Sequence, residues 1–315
     1  MKSALTVLTE DPDARLAAAI SRFEPEFSYP LGPDARFHVA HDGNGWRFFQ
    51  AMGEGAYVVA EHDGWVRGIL GAALRTAAMP DGSSRPVVYL GDLKITADAR
   101  GGMTMLRLAR AIQARFQART DAAYAVVMDG TTMIPSAYTG RLGIPPFAAV
   151  GTLAVLWLHT GDARAAKVRV VNSAHGEERF ATLAAEHLRP DTKDPALRSL
   201  LPPRWLVSDD GNACGRLEDT LRAKRLCSTT GEDMRSAHLS CFSYRDVRDG
   251  ARLLHGALAM AQAAGYPMLF TALPRAQVDL MRPLLGDRIR TCAPATIYAT
   301  GIPSALPWTI STADI

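Results

Sequence analysis

Apolar and polar positions along the chain divide it into short strands and amphipathic helices, in an order that occurs twice. Residues 4–9 read as a strand, and Asp11 to Phe23 as a helix opened by Asp-Pro-Asp capping chemistry. Residues 30–45 carry Pro, Gly, Asp and Asn and read as a long loop, followed by a short helix from Trp46 to Met52. The apolar runs on either side of Asp63-Gly64 form a hairpin, because both residues of that turn accept positive φ. Residues 86–96 are a mostly buried strand. Over 102–119, Met105, Leu108, Ala109, Ile112 and Phe116 fall on one helical face, with Arg107, Arg110 and Gln117 away from it. Residues 123–130 and 152–158 are two more buried strands. Between them the pattern predicts a short helix ending near Leu142-Gly143.

The second half repeats this order. Asp210-Gly211 with Gly215 reproduces Asp63-Gly64 with Gly68, both reading DGxxxG. The strand at 236–244, the Ala-rich helix at 248–264 and the strands at 267–273 and 294–300 occupy the places of 86–96, 102–119, 123–130 and 152–158. Matching order, spacing and turn chemistry argue for a duplicated domain. The expected division is 1–160, 168–302 and a tail at 303–315, with a small, polar and charged linker at 159–167. The stretch 188–204 carries four prolines and bridges elements inside the second half. The tail has no clear period.

A length of 315 residues suits two domains, and 48% hydrophobic with 21% charged residues is ordinary for a soluble globular protein. A formal charge of +3 is too mild for a nucleic-acid binder, yet leaves room for a local basic patch facing a phosphorylated cofactor or an acidic carrier protein. The first residues reach Glu10 and Asp11 before a signal-peptide core can form, and no apolar run approaches the ~20 residues of a membrane span. A cytoplasmic protein is expected. Cys214, Cys227, Cys241 and Cys292 are widely spaced without a CxxC, which predicts reduced thiols and no zinc site.

The segment from Leu93 to Ala111 carries the chemistry. A strand runs into Arg100-Gly101-Gly102 and then a helix, aiming free N–H groups and the positive end of the helix dipole at one point. A pyrophosphate is the natural occupant of such a turn. The alternative is a tight strand-to-helix turn without a ligand.

This segment resembles the GNAT superfamily of acyl-CoA-dependent N-acyltransferases, whose signature is Arg or Gln, two free positions, Gly, one free position, and Gly or Ala at the start of a helix. Leu93 to Ile95 match the end of the family's central strand, Asp98 and Arg100-Gly101 its loop entry, and Leu106 the first buried leucine of its helix. Met103 and Met105 stand where the motif has its small residues, and Gly102 is an extra glycine. The second half reads Arg248-Asp249-Gly250 at the matching place, a degenerate structural copy. The resemblance implies two tandem α/β (α+β) domains, each a mixed, mostly antiparallel central sheet with helices on both faces. Acyl-CoA, acetyl-CoA first among them, is the implied co-substrate. Leu93, Lys94, Ile95, Arg100, Gly101, Gly102, Met103, Thr104 and Met105 are its implied contacts. The thioester is expected in a gap where the central strand and the next one splay apart.

Direct transfer to an amine needs a base and an acid. Tyr138 is the expected acid, with Thr139 at the family's nominal position and a packing role for Tyr138 as its alternative. Asp92, in an apolar run where burial raises a carboxyl's pKa, is the expected base, with Asp129 as a second choice and a salt bridge to Lys94 as the bland reading. The histidines show no HxxxH or HExxH spacing, and neither a GxSxG elbow nor a phosphate-binding P-loop occurs. Three functions follow: transfer of an acyl group, acetyl by preference, from CoA to a small-molecule or amino-acid-like amine; transfer from an acyl carrier protein docked on Arg100, Arg107 and Arg110; or ligand binding without catalysis. A monomer or homodimer suits each.

Overall fold

The computed structural model describes residues 4–33, 35–161, 166–304 and 306–315. The first half contains β1 (Ala4–Leu8), α1 (Ala14–Phe23), β2 (Tyr29–Pro30), β3 (Arg36–Ala40), α2 (Gly45–Met52), β4 (Glu54–His62), β5 (Trp65–Ala78), β6 (Ser84–Ile95), α3 (Thr104–Phe116), β7 (Ala123–Met128), α4 (Pro135–Tyr138) and β8 (Ala148–His159). The second contains β9 (Val168–Val171), α5 (Ser173–Leu183), β10 (Arg189–Pro190), β11 (Arg204–Ser208), β12 (Ala213–Glu218), β13 (Arg225–Ser228), β14 (Ser236–Tyr244), α6 (Val247–Ala263), β15 (Met268–Pro274), α7 (Val278–Leu285) and β16 (Ile289–Thr300). Residues 162–165 of the expected 159–167 linker lie outside the described residues.

Local chemistry accounts for most elements. Asp13 caps α1 by accepting the Leu16 N–H at 2.7 Å. Asp63 and Gly64 turn the β4–β5 hairpin with φ of 51° and 76°. Alternation along β4 sends Tyr57 and Val59 to the α1–α2 side of the sheet and Ala56, Val58 and Ala60 to the side covered by Leu108, Ile112 and Phe116 of α3. Helices thus lie on both faces of a mixed sheet. Gly71 is required by packing, since a Cβ there would sit 2.0 Å from the Phe49 ring.

Among the described residues, one large sheet runs β1-β4-β5-β6-β7-β16-β8-β15-β14-β12-β11-β9, with β10 on β5. Its neighbours are antiparallel except β6–β7 and β14–β15, which hold the same place in the two halves. The closing strands are exchanged: β16 of the second half lies against β7 of the first, and β8 of the first lies against β15 of the second. The two halves therefore share one continuous sheet.

Two sequence expectations need correction. Residues 30–45 are not a plain loop, because β2 and β3 form a small sheet with β13, whose Arg225 pairs with Ala40 far along the chain. The helix expected to end near Leu142-Gly143 stops at Tyr138. Thr139 Oγ1 donates to Pro135 O at 2.7 Å and accepts the Phe147 N–H at 3.0 Å, and Gly140 takes a φ of 77°. The tail also has a defined path. Trp308 packs against Tyr124 of the first half in a tilted arrangement with ring centroids 5.2 Å apart, and Asp314 lies buried against Arg75 of the first half and Arg198 of the second.

Candidate functional site

Both halves carry the same irregularity in their central strand. Asp92 and Leu93 of β6 stand opposite one residue of β5, Leu70, and Asp92 takes a φ of 58°. Cys241 and Phe242 of β14 stand opposite Gly215 of β12, and Cys241 takes a φ of 51°. Such a bulge turns backbone groups out of the ladder, and non-glycine residues keep positive φ only where the surroundings hold them. The sequence offered no sign of either bulge beyond the repeat itself.

From the bulge onward the halves differ. β6 and β7 pair at Val88–Ala123 and Tyr89–Tyr124 and then diverge, as expected from the resemblance. Their gap opens into a mostly apolar cavity of about 960 Å³ that reaches from the glycine turn to Lys224, Leu226, His238 and Phe270 of the second half. In the second half, β14 and β15 pair from Ser236 to Leu239, and the tail fills the space beyond. There the Cys241 N–H donates to Ser311 Oγ at 3.0 Å, and His238 Nδ1 meets Thr312 Oγ1 at 2.9 Å. The half without the motif has its gap closed by the chain's own residues.

At the cavity mouth, Gly101 turns the chain with a φ of 77°, and nothing stands within 4 Å of where its Cβ would be. The first turn of α3 contains no acidic residue, and no side chain caps it. Arg100 Nε donates to Ile95 O at 3.2 Å, holding the turn against β6. Met103 points outward, 56% exposed, leaving the main chain of the turn uncovered. Leu93, Lys94, Ile95, Arg100, Gly101, Gly102, Met103 and Met105 all line the cavity. Thr104, where α3 begins, does not line it.

Tyr138 lines the same cavity, and burial, with Tyr298 nearby, pushes its phenol up to about 12. It stays protonated at neutral pH. Thr139 is committed to the turn described above. Asp129 accepts from Thr296 Oγ1 at 2.8 Å and does not line the cavity.

Asp92 is not the isolated carboxyl with a raised pKa expected from its apolar run. Its burial favours the neutral form, but Lys94 and then His41 reverse that effect, together with hydrogen bonds from Lys94 and Tyr57, and hold it below the usual carboxylate range. Lys94 Nζ lies 2.5 Å from Oδ1, and Tyr57 OH donates to Oδ2 at 2.6 Å. Next to this pair lie two residues that sequence reasoning missed. His41 Nδ1 contacts Glu24 Oε1 at 2.6 Å, and the His41 backbone N–H donates to Glu24 Oε2 at 3.0 Å. Both side chains are almost wholly buried, 1% and 2% exposed. They come from the loop before α2 and the short 3-10 turn after α1, so no spacing announces them. Glu24, His41 and Asp92 bring their polar atoms within 4.8 Å of one another. The Lys94 ammonium, 3.9 Å from Glu24, already serves as their counter-ion.

Lys224 lies across the ring of Phe48, 4.3 Å from its centroid, and donates to the main-chain oxygen of Ile315. Burial, reinforced by Arg198, pushes its ammonium down to about 7.

Comparison with known proteins bears on this arrangement. No family profile matches the sequence, and no curated protein does. Solved structures match along nearly the whole chain. The N-myristoyltransferase of Saccharomyces cerevisiae, solved with myristoyl-CoA and inhibitors, superposes with a TM-score of 0.65 at 12% identity, over 100% of this chain and 84% of that one. A putative acetyltransferase from Pyrococcus horikoshii gives 0.61 at 10% identity, over 98% and 92%. A GCN5-related N-acetyltransferase from Anabaena variabilis gives 0.51 at 12% identity, over 93% and 72%. The chain has the tandem GNAT fold. In the described residues no helix is long and apolar enough to cross a membrane.

Proposed function

We propose that the chain is an acyl-CoA-dependent N-acyltransferase whose working site is the open gap of the first half. The observation that carries this reading is the contrast between the halves: the same bulged strand faces an open cavity ending at the glycine turn in one, and the tail in the other. Acyl-CoA supplies a thioester. The uncovered N–H groups from Gly101 to Met105 and the dipole of α3 suit its pyrophosphate. The free edge of β6 from Leu93 to Ile95 suits the pantetheine arm, and the bulge at Asp92-Leu93 aims a backbone N–H at the charge developing on the carbonyl oxygen. Tyr138, protonated and lining the cavity, supplies the proton for the departing sulfur.

The cavity favours an acyl chain longer than acetyl. An acetyl group leaves most of its 960 Å³ apolar interior unfilled, whereas a long apolar chain removes that surface from water at ~25 cal/mol per Å². The N-myristoyltransferase neighbour holds such a chain. The acceptor is a small-molecule or amino-acid-like amine. A second reading, donation by an acyl carrier protein, draws on the exposed Met103 and Leu142 beside Arg100 and Arg141 at the mouth.

Calorimetric titration with CoA, acetyl-CoA and a long-chain acyl-CoA tests the proposal. The expected result is saturable binding, at least tenfold tighter for the long chain, weakened by Arg100→Glu and strengthened for CoA by Met103→Gly. Absence of binding at millimolar ligand refutes a CoA enzyme and leaves the carrier-protein and ligand-binding readings. Equal affinity for all three refutes the long-chain assignment alone.

A further inference from the structure

The chemistry proposed above leaves one role without a residue. An acceptor amine reaches the site as an ammonium ion and must lose a proton before it attacks. Neither carboxylate oxygen of Asp92 is free, since Tyr57 and Lys94 hold them. Lys224 gives its ammonium to the main chain at Ile315.

His41 is differently placed. Glu24 accepts hydrogen bonds only, so the Nδ1 contact at 2.6 Å fixes the proton on Nδ1 and leaves the lone pair of the neutral ring on Nε2. The second Glu24 oxygen grips the His41 backbone N–H, so ring and main chain are held by one carboxylate. The ring lines the cavity, and its Nδ1 lies 3.6 Å from Asp92 Oδ2, beside the bulge. Among the described residues Nε2 has no hydrogen-bond partner, and His41, its side chain 1% exposed, is part of the cavity wall. The charged and titratable groups around it are Glu24, Tyr29, Tyr57, Asp92, Lys94 and Lys224.

We infer that His41, oriented by Glu24, is the base that deprotonates the acceptor ammonium at the bulge of β6. This rests on the acyltransferase reading above. Nε2 takes one proton from R–NH3+. The amine nitrogen then forms the C–N bond as the C–S bond breaks, Tyr138 gives its proton to the sulfur and regains one from the amine nitrogen, and His41 returns the first proton to solvent. The products are an amide, a free thiol and one proton. Glu24 is a positioning residue.

The test follows thiol release from the acyl-CoA that binds best, with two nucleophiles at neutral pH: butylamine, which is a cation there, and hydroxylamine, which is uncharged. His41→Gln is expected to lose about 100-fold or more with butylamine and to keep most of its rate with hydroxylamine. Equal losses with both nucleophiles, or none with either, overturn the assignment. Wild-type protein inert to both overturns the acyltransferase reading beneath it. If His41→Gln shows no cooperative melting, ethoxyformylation of folded wild type replaces it, with His41 modification followed by peptide mass. Selective loss of the butylamine reaction supports the assignment, and loss of both reactions or of neither overturns it.

Discussion

Asp314→Asn removes one negative charge from the place where the tail locks the two halves together. Asp314 Oδ2 lies 2.8 Å from Arg75 Nη2 and Oδ1 lies 2.6 Å from Arg198 Nη1, with the three side chains 6%, 1% and 0% exposed. After substitution Arg198 keeps Glu218 at 3.4 Å, whereas among the described residues Arg75 keeps neutral partners: Tyr124 OH, Thr192 Oγ1, Met52 Sδ and the carbonyls of Pro190 and Asp191. Breaking a buried ion pair from one side costs ~3–5 kcal/mol, because the remaining charge stays buried without its counter-ion. At roughly 2 °C per kcal/mol for a chain of this size, the melting temperature should fall by about 6–10 °C. Scanning calorimetry at pH 7 reads the loss, with Asp11→Asn as a control, since Asp11 and Arg47 are about half exposed and such pairs contribute little. The pH dependence follows from Asp314, which the two guanidiniums hold far below the usual carboxylate range despite its burial. Its stabilisation is complete above the unfolded pKa of ~3.9, and is lost only as pH falls through the lower folded value. The difference between wild type and variant should therefore persist from pH 7 to pH 5 and narrow below 4. A loss under 1 kcal/mol at pH 7 refutes the reasoning.

Two more outcomes concern the cavity. Tyr138→Phe should leave acyl-CoA affinity within about twofold while slowing thiol release by ~10²-fold, the usual scale for a lost general acid, and unchanged release returns Tyr138 to a packing role. Lys224, with its pKa lowered to about 7, makes the folded chain bind fewer protons than the unfolded one between there and the ordinary lysine range. Stability should rise with pH across that window by up to ~1.4 kcal/mol per unit, a slope that Lys224→Met should flatten in urea titrations at pH 7, 8 and 9.

Features set by neighbours in the sequence were legible before the structure. Asp63-Gly64 turns a hairpin because its own backbone preferences suffice, and the apolar stripe of α3 faces the sheet because its period allows nothing else. The glycine turn was legible for the same reason. Elements defined by distant partners were not. β3 needs β13, more than the whole first half away, and the Pro, Gly and Asp around it in 30–45 read as loop. The duplicated order was visible, but which half's closing strand pairs with which was not, since TLAVLWL and PATIYAT suit either position. At the site, Asp92 was found by its contrast with an apolar run and Lys94 by its spacing from Asp92. Glu24 and His41 lie in short segments without periodicity and become a pair only where the turn after α1 packs beside β3. The buried tail is polar in its last residues, and its partners Arg75 and Arg198 are drawn from both halves.

The exchanged strands change what cutting this chain can do. β7 reaches β8, the closing strand of its own half, only through β16, with Met128 beside Ala295, and β15 reaches β16 only through β8. A protease nick between β8 and β9 would sever the covalent link without releasing either fragment, since each has lent the other a strand. Such reciprocity has the geometry of strand swapping between two protomers, here contained within one chain. It also ties completion of the site to the second half, because the open gap beside β7 lacks a finished wall until β16 has been synthesised.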